Sequence, residues 1–203
     1  MLHADARLLV VDKASGLLTV PGLTQPDCLC SRLAASGWPG ARVVHRLDRD
    51  TSGLLVVALD DAAHRELSAQ FRRREVAKAY CALVAGQPPG DAGEVDLPIR
   101  KDMVNTPLQL VDHERGKPSR TRWRVLERMP DRTRLELTPL TGRTHQLRLH
   151  LSSIGHPICG DDLYADERAL RMAPRLCLHA ERLAFAHPGS GERMSFSSAT
   201  EAF

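Results

Sequence analysis

The stretch His45-Arg46-Leu47-Asp48-Arg49-Asp50-Thr51-Ser52-Gly53 runs directly into Leu54-Leu55-Val56-Val57-Ala58. The second half is a short, unbroken apolar run, which suits a strand buried on both faces. The first half sets Asp48 between arginines and closes on Thr-Ser-Gly, a turn composition. A charged loop delivered by a fully buried strand constrains the whole chain. The chain must build a sheet around residues 54–58 and leave residues 45–52 at its rim, where loops carry chemistry. Taken alone, an aspartate beside Thr-Ser-Gly is ordinarily a turn or cap residue, and Asp50 reads as a loop cap.

The remaining periodicities say what surrounds that strand. Residues 7–12 read as a strand, residues 13–16 as a turn, and residues 17–20 as an extension broken by Pro21-Gly22. Asp27 is placed to cap a short helix that Gly37 ends. Asp60 and Asp61 cap a helix whose Ala63, Leu67 and Phe71 recur at i, i+4, i+8 as one buried stripe. Strands are expected over residues 76–84, 121–126, 134–140, 176–186 and 194–196, the second and third joined by a Met129-Pro130-Asp131 turn. A helix is expected over residues 144–154, with Leu147, Leu151 and Ile154 on one face and Gly155 as its stop. Strands outnumber helices and do not alternate with them. This predicts an α+β fold with a central mixed, mostly antiparallel sheet flanked by helices and loops.

Composition narrows the function classes. The chain has 203 residues, 42% hydrophobic and 26% charged, which suits a single globular domain, 1–203. No apolar run is long enough to span a bilayer and no leader pattern opens the chain, so a cytoplasmic location is expected. The five cysteines, Cys28, Cys30, Cys81, Cys159 and Cys177, are an odd number at irregular spacing, the pattern of reduced thiols. No zinc spacing, phosphate loop or dinucleotide fingerprint occurs, so neither metal nor cofactor is expected. Net charge is only +3, but Arg72-Arg73-Arg74 with Lys78, and Arg115, Lys117, Arg120, Arg122 and Arg124, are dense basic stretches. They suit solvated faces and a phosphate-contacting surface equally well.

Several motifs in order carry a resemblance. Val11-Asp12-Lys13-Ala14-Ser15-Gly16-Leu17-Leu18, the Asp48 stretch, Lys78-Ala79-Tyr80, Gly142-Arg143-Thr144-His145-Gln146-Leu147-Arg148, Gly155-His156-Pro157-Ile158-Cys159-Gly160-Asp161 and Leu178-His179-Ala180 span nearly the whole chain. Together they resemble the RluA-type RNA pseudouridine synthases. The short length is most similar to the compact branch that acts on 23S ribosomal RNA and a tRNA anticodon stem-loop, without an N-terminal RNA-binding extension. One departure is Ser119, where the resemblance leads us to expect alanine.

The resemblance implies the pseudouridine synthase fold and an isomerase of RNA. Its partner would be structured RNA, with no membrane and no DNA, and the chain is expected to be a monomer. Asp48 would be the catalytic carboxylate, acting near C1′ of the target uridine. Arg143 would pair with it, and Tyr80 would stack on the uracil and serve as the candidate for taking the C5 proton. Arg46 would fill the gap left by a flipped base. Leu147 and Arg148 are further substrate-binding candidates, with RNA or an acidic neighbour both open as partners of Arg148. His45 is expected to be structural. Two rivals remain at this point: an RNA binder without catalysis, and a nucleosidase, which ordinarily uses two carboxylates.

Overall fold

A computed structural model of the chain describes residues 1–199 and 203. In chain order the elements are β1 (His3–Ala4), β2 (Leu8–Lys13), α1 (Leu29–Ala35), β3 (Arg42–Val43), β4 (Ser52–Ala58), α2 (Asp61–Arg73), β5 (Ala77–Ala85) and β6 (Ala92–Asp96). They continue with β7 (Ile99–Lys101), β8 (Gln109–Val111), β9 (Arg120–Arg128), β10 (Arg132–Pro139), α3 (Gln146–Ser153), α4 (Glu167–Arg171), β11 (Leu178–Ala186) and β12 (Arg193–Ser197). Among the described residues two compact units form, one from residues 1–78 and 179–199, the other from Ala79–Leu178 with Phe203.

In the first unit the strands run β1-β2-β4-β11, with β3 also on β4 and β12 on β11. The β4–β11 pair is parallel and the others antiparallel, so the sheet is mixed as expected. All seven residues of β4 are buried, as its unbroken apolar run predicts. Alternation puts Leu8, Val10, Leu54, Val56 and Ala58 into one cluster with Leu183 and Phe185. Helix α2 closes this cluster with Ala63, Leu67 and the partly buried Phe71, the stripe read from sequence. Its N-cap is Asp60, whose carboxylate accepts from the Ala63 N–H at 2.8 Å. For α1 the cap is Cys28 rather than Asp27; Asp27 forms an ion pair with Arg32 instead.

In the second unit β5-β10-β9-β6 form an antiparallel run. Leu135, Leu137, Trp123, Ala82 and Val84 meet Leu147 and Leu151 of α3, with Ile154 packed alongside. Helix α3 begins later than the expected residue 144, because His145 takes a left-handed φ of 53° and serves as its N-cap. The β7–β8 hairpin forms a separate two-stranded sheet. It was not expected from sequence, nor was α4, because both are too short to establish a period. Ser119 lies in the interior, fully buried, and its hydroxyl donates to the Lys117 carbonyl at 2.8 Å. Among the described residues no helix is long and apolar enough to cross a membrane.

Candidate active site

The loop between β3 and β4 is held from below by the segment that follows β2. Thr19 Oγ1 donates to the Leu47 carbonyl at 2.8 Å and accepts from the Leu47 N–H at 3.2 Å. Lys13 Nζ donates to the carbonyls of Arg49 at 2.8 Å, Ala14 at 2.9 Å and Leu17 at 2.6 Å. Ser15 Oγ donates to the Asp50 carbonyl at 2.8 Å. The backbone is therefore tethered on both sides of Asp48, which is itself partly buried, while Arg46 and Arg49 are exposed. Asp50 is occupied by the Arg49 guanidinium at 2.9 Å. Lys13 is 1% exposed. Burial pulls its ammonium down to about 8, against the pull of the Asp50 and Asp48 charges, which favour the protonated form.

The two ends of the loop are fixed as well. The His45 ring stacks on Phe71 with centroids 4.4 Å apart, and its Nε2 accepts the Val56 N–H at 3.1 Å. Burial first, and the nearby Lys78 charge second, bring its pKa down to about 3, so it is a neutral acceptor that pins the loop to β4. At the other end Ser52 Oγ meets His179 Nδ1 at 2.9 Å, and His179 Nε2 meets the Ser198 carbonyl at 3.0 Å. Gly53 has a φ of 112°, and any Cβ there would run into the backbone of Ala180 on β11. This close approach requires glycine at the end of the motif. Thr51 Oγ1 is buried without a hydrogen-bond partner.

The other expected site residues lie in the second unit. Tyr80 is partly buried on β5 opposite Leu137 and packs against the core there. Arg143 is exposed, its guanidinium only 3.5 Å from the Pro118 carbonyl, at the limit of hydrogen bonding. The turn that presents it is tied by Gln146. The Gln146 side-chain oxygen accepts from Thr141 Oγ1 at 2.8 Å and from the Arg143 N–H at 3.1 Å, and its nitrogen donates to the Arg120 carbonyl at 2.9 Å. His145 Nδ1 contacts the Tyr164 hydroxyl at 2.8 Å, which accepts the Gln109 N–H from β8 at 2.8 Å. Leu147 is a core residue. Arg148 is 2% exposed and forked onto the fully buried Asp161, with Asp162 at 2.9 Å. Of the two partners left open by sequence, Arg148 has the acidic one. Its guanidinium is buried there.

The basic stretches are partly neutralised. Arg120 and Arg122 pair with Glu94, and Arg124 pairs with Glu136. Arg73 pairs with Glu66 and Glu75.

Residues 7–153, which include Lys13, Asp48, Tyr80 and Arg143, match the family profile of RNA pseudouridylate synthases. The chain belongs to the RNA pseudouridylate synthase family. It is 50% identical over 201 residues to the dual-specificity RNA pseudouridine synthase RluA of Pasteurella multocida, covering 97% of this chain and 91% of that one. It is 49% identical over 199 residues to the RluA of Escherichia coli K12, covering 97% and 90%. Among solved structures, human RNA pseudouridylate synthase domain containing 1 superposes with a TM-score of 0.82 at 31% identity, covering 98% of this chain and 82% of that one. Human RNA pseudouridylate synthase domain containing 4 gives 0.77 at 27% identity, covering 98% and 87%.

Pseudouridine synthases are isomerases, and in this one the supporting contacts come from residues that were not among the candidate site residues. Lys13, Ser15 and Thr19 carry the Asp48 loop, and Tyr164 carries the turn that bears Arg143. The signal for Lys13 and Ser15 is their place in the motif Val11-Asp12-Lys13-Ala14-Ser15-Gly16-Leu17-Leu18, at the end of the strand that Leu8-Leu9-Val10-Val11 begins.

Proposed function

We propose that this pseudouridine synthase converts a specific uridine of structured RNA to pseudouridine with Asp48 as its catalytic carboxylate. Its substrates would be both a ribosomal and a transfer RNA, the latter in the anticodon stem-loop. The reaction breaks the N1–C1′ bond, turns the uracil and rejoins C1′ to C5; a proton leaves C5 and one is taken up at N1, so substrate and product are isomers. No electrons are gained or lost and no group is imported, so the proposal includes no cofactor and no metal. Asp48 serves by attacking C1′ or by removing the 2′ proton; an ionised, oriented carboxylate is needed for either. The tethering of the backbone on both sides of Asp48 supports this reading most directly, because catalytic groups gain rate from being held in place before substrate arrives.

Tyr80 stacks on the uracil in this proposal and is the candidate for taking the C5 proton, with Leu147 backing it from the same apolar cluster. Arg143 supplies a cation to the Asp48 carboxylate, and exposed Arg46 occupies the stack that the flipped uridine leaves. Dual specificity is carried over from the names of the relatives. The protein is proposed to act as a cytoplasmic monomer.

Tritium release from RNA labelled at uridine C5 follows this chemistry, since the C5 hydrogen is lost only if the isomerisation runs. Wild-type protein, without ATP or added metal, should release tritium from both RNA classes, and Asp48→Ala should release none. Tyr80→Phe should bind RNA normally with turnover lost; wild-type turnover in that variant would remove its proton-transfer role. Free uracil among the products would point to a nucleosidase. Tight binding with no release by any form would point to a non-catalytic RNA binder.

A further inference from the structure

Lys13 is among the largest fully buried side chains of the protein, and it is a cation. An ammonium in such a place is costly unless its donors are all used. Here the three N–H bonds go to three carbonyls, those of Ala14 and Leu17 from its own turn and that of Arg49 from the residue after Asp48. Among the described residues no carboxylate bonds it directly. The acidic groups that face it are Asp50 and Asp48. Asp50, the stronger influence of the two, is also paired with the Arg49 guanidinium, and Asp48 is the other carboxylate that this buried charge acts on.

We propose that Lys13 is a positioning residue for the isomerisation: it fixes the height of Asp48 through the Arg49 carbonyl and sets a buried positive charge beside its carboxylate. This rests on the reading of Asp48 as the reacting carboxylate. Ser15 and Thr19 complete the same cradle from neighbouring positions, on Asp50 and Leu47. The loop is thus tied to the end of β2 by three side chains, of which only Lys13 is charged. As pH rises through about 8, Lys13 gives up its proton, and with it both the charge and one of its three donors. The acidic groups facing it are Asp50 and Asp48. The rate of the chemical step should therefore fall on the alkaline side while RNA binding persists.

Single-turnover tritium release and RNA affinity, measured from about pH 6.5 to about 9, test this in wild type, Ser15→Ala, Lys13→Arg, Lys13→Met and Asp48→Ala. Thermal melting reports which variants fold. Wild type should lose rate above about pH 8 with affinity unchanged. Ser15→Ala, which removes one tether and no charge, should run about fivefold slower at unchanged affinity and with the same alkaline limb. Folded Lys13→Met should be about 100-fold slower. Folded Lys13→Arg, whose guanidinium stays charged, should keep its rate to the top of the range. The proposal is overturned by a flat wild-type profile, which needs no lysine variant to fold. It is equally overturned by wild-type rates in folded Lys13→Met. Full activity in Asp48→Ala would instead remove the reading of the site on which the proposal stands.

Discussion

His45 and Lys13 lie on either side of the Asp48 loop, and burial shifts both pKa values downward, with different consequences. For His45 the folded-state pKa is about 3, against the ordinary histidine value of 6.5. The unfolded chain binds the proton first, so the contribution is fully present above pH 6.5 and is lost as pH falls from there toward 3. A shift of this size corresponds to roughly 3–5 kcal/mol. Urea unfolding at pH 7 and pH 4 should therefore show a larger acid loss in wild type than in His45→Asn, whose amide oxygen can still accept the Val56 N–H; equal losses would contradict the assignment. What is legible at this scale is what a local string carries, such as the structural character of His45. What was not legible was any role set by a distant partner. Thr19 meets a residue 28 positions away and Lys13 one that is 36 away. The Arg148–Asp161 pair is a further case, its members thirteen residues apart with no periodicity linking them.

The elements that read correctly are those with enough length for a period. Helix α2, from its Asp60 cap to its Ala63–Leu67 stripe, and the β9–β10 pair with its turn fall where pattern and turn chemistry place them. Two predictions belong here. Asp60→Ala removes the α2 cap and should cost about 1 kcal/mol in urea unfolding, with a part of any excess coming from the lost Arg7 ion pair. Gly53→Ala should cost at least about 3 kcal/mol or fail to fold, since its Cβ has no room against Ala180 in the β4–β11 pair and the backbone has a positive φ. A melting temperature within a degree or two of wild type would show that the pair can shift. Arg74, at a φ of 60° behind α2, gives the opposite expectation: Arg74→Gly relieves the left-handed strain and should raise stability by about 0.5–1 kcal/mol, read as a higher urea midpoint. The boundaries that failed, the late start of α3 and the Cys28 cap of α1, turn on single backbone angles and single hydrogen bonds that periodicity does not encode.

At the scale of the whole chain, α+β architecture and family were legible because motifs in a fixed order extend from Lys13 to His179, so no single one had to carry the inference. Charge was the least legible property: a net value of +3 with clustered arginines suggested a phosphate surface, yet Arg120, Arg122 and Arg124 of β9 are already engaged by Glu94 and Glu136. Composition counts charges without their partners, and at exposed positions those pairs are weak enough for a phosphate to compete. The central claim is that Asp48 makes this fold an enzyme. The most direct test is pseudouridine mapping by carbodiimide-stop sequencing on unmodified 23S rRNA and tRNA transcripts, incubated with wild-type or Asp48→Ala protein without ATP or metal. The account predicts new stops at discrete uridines in both RNAs with wild type and none with Asp48→Ala; the same stops with Asp48→Ala, or none with either protein despite tight binding, would contradict it.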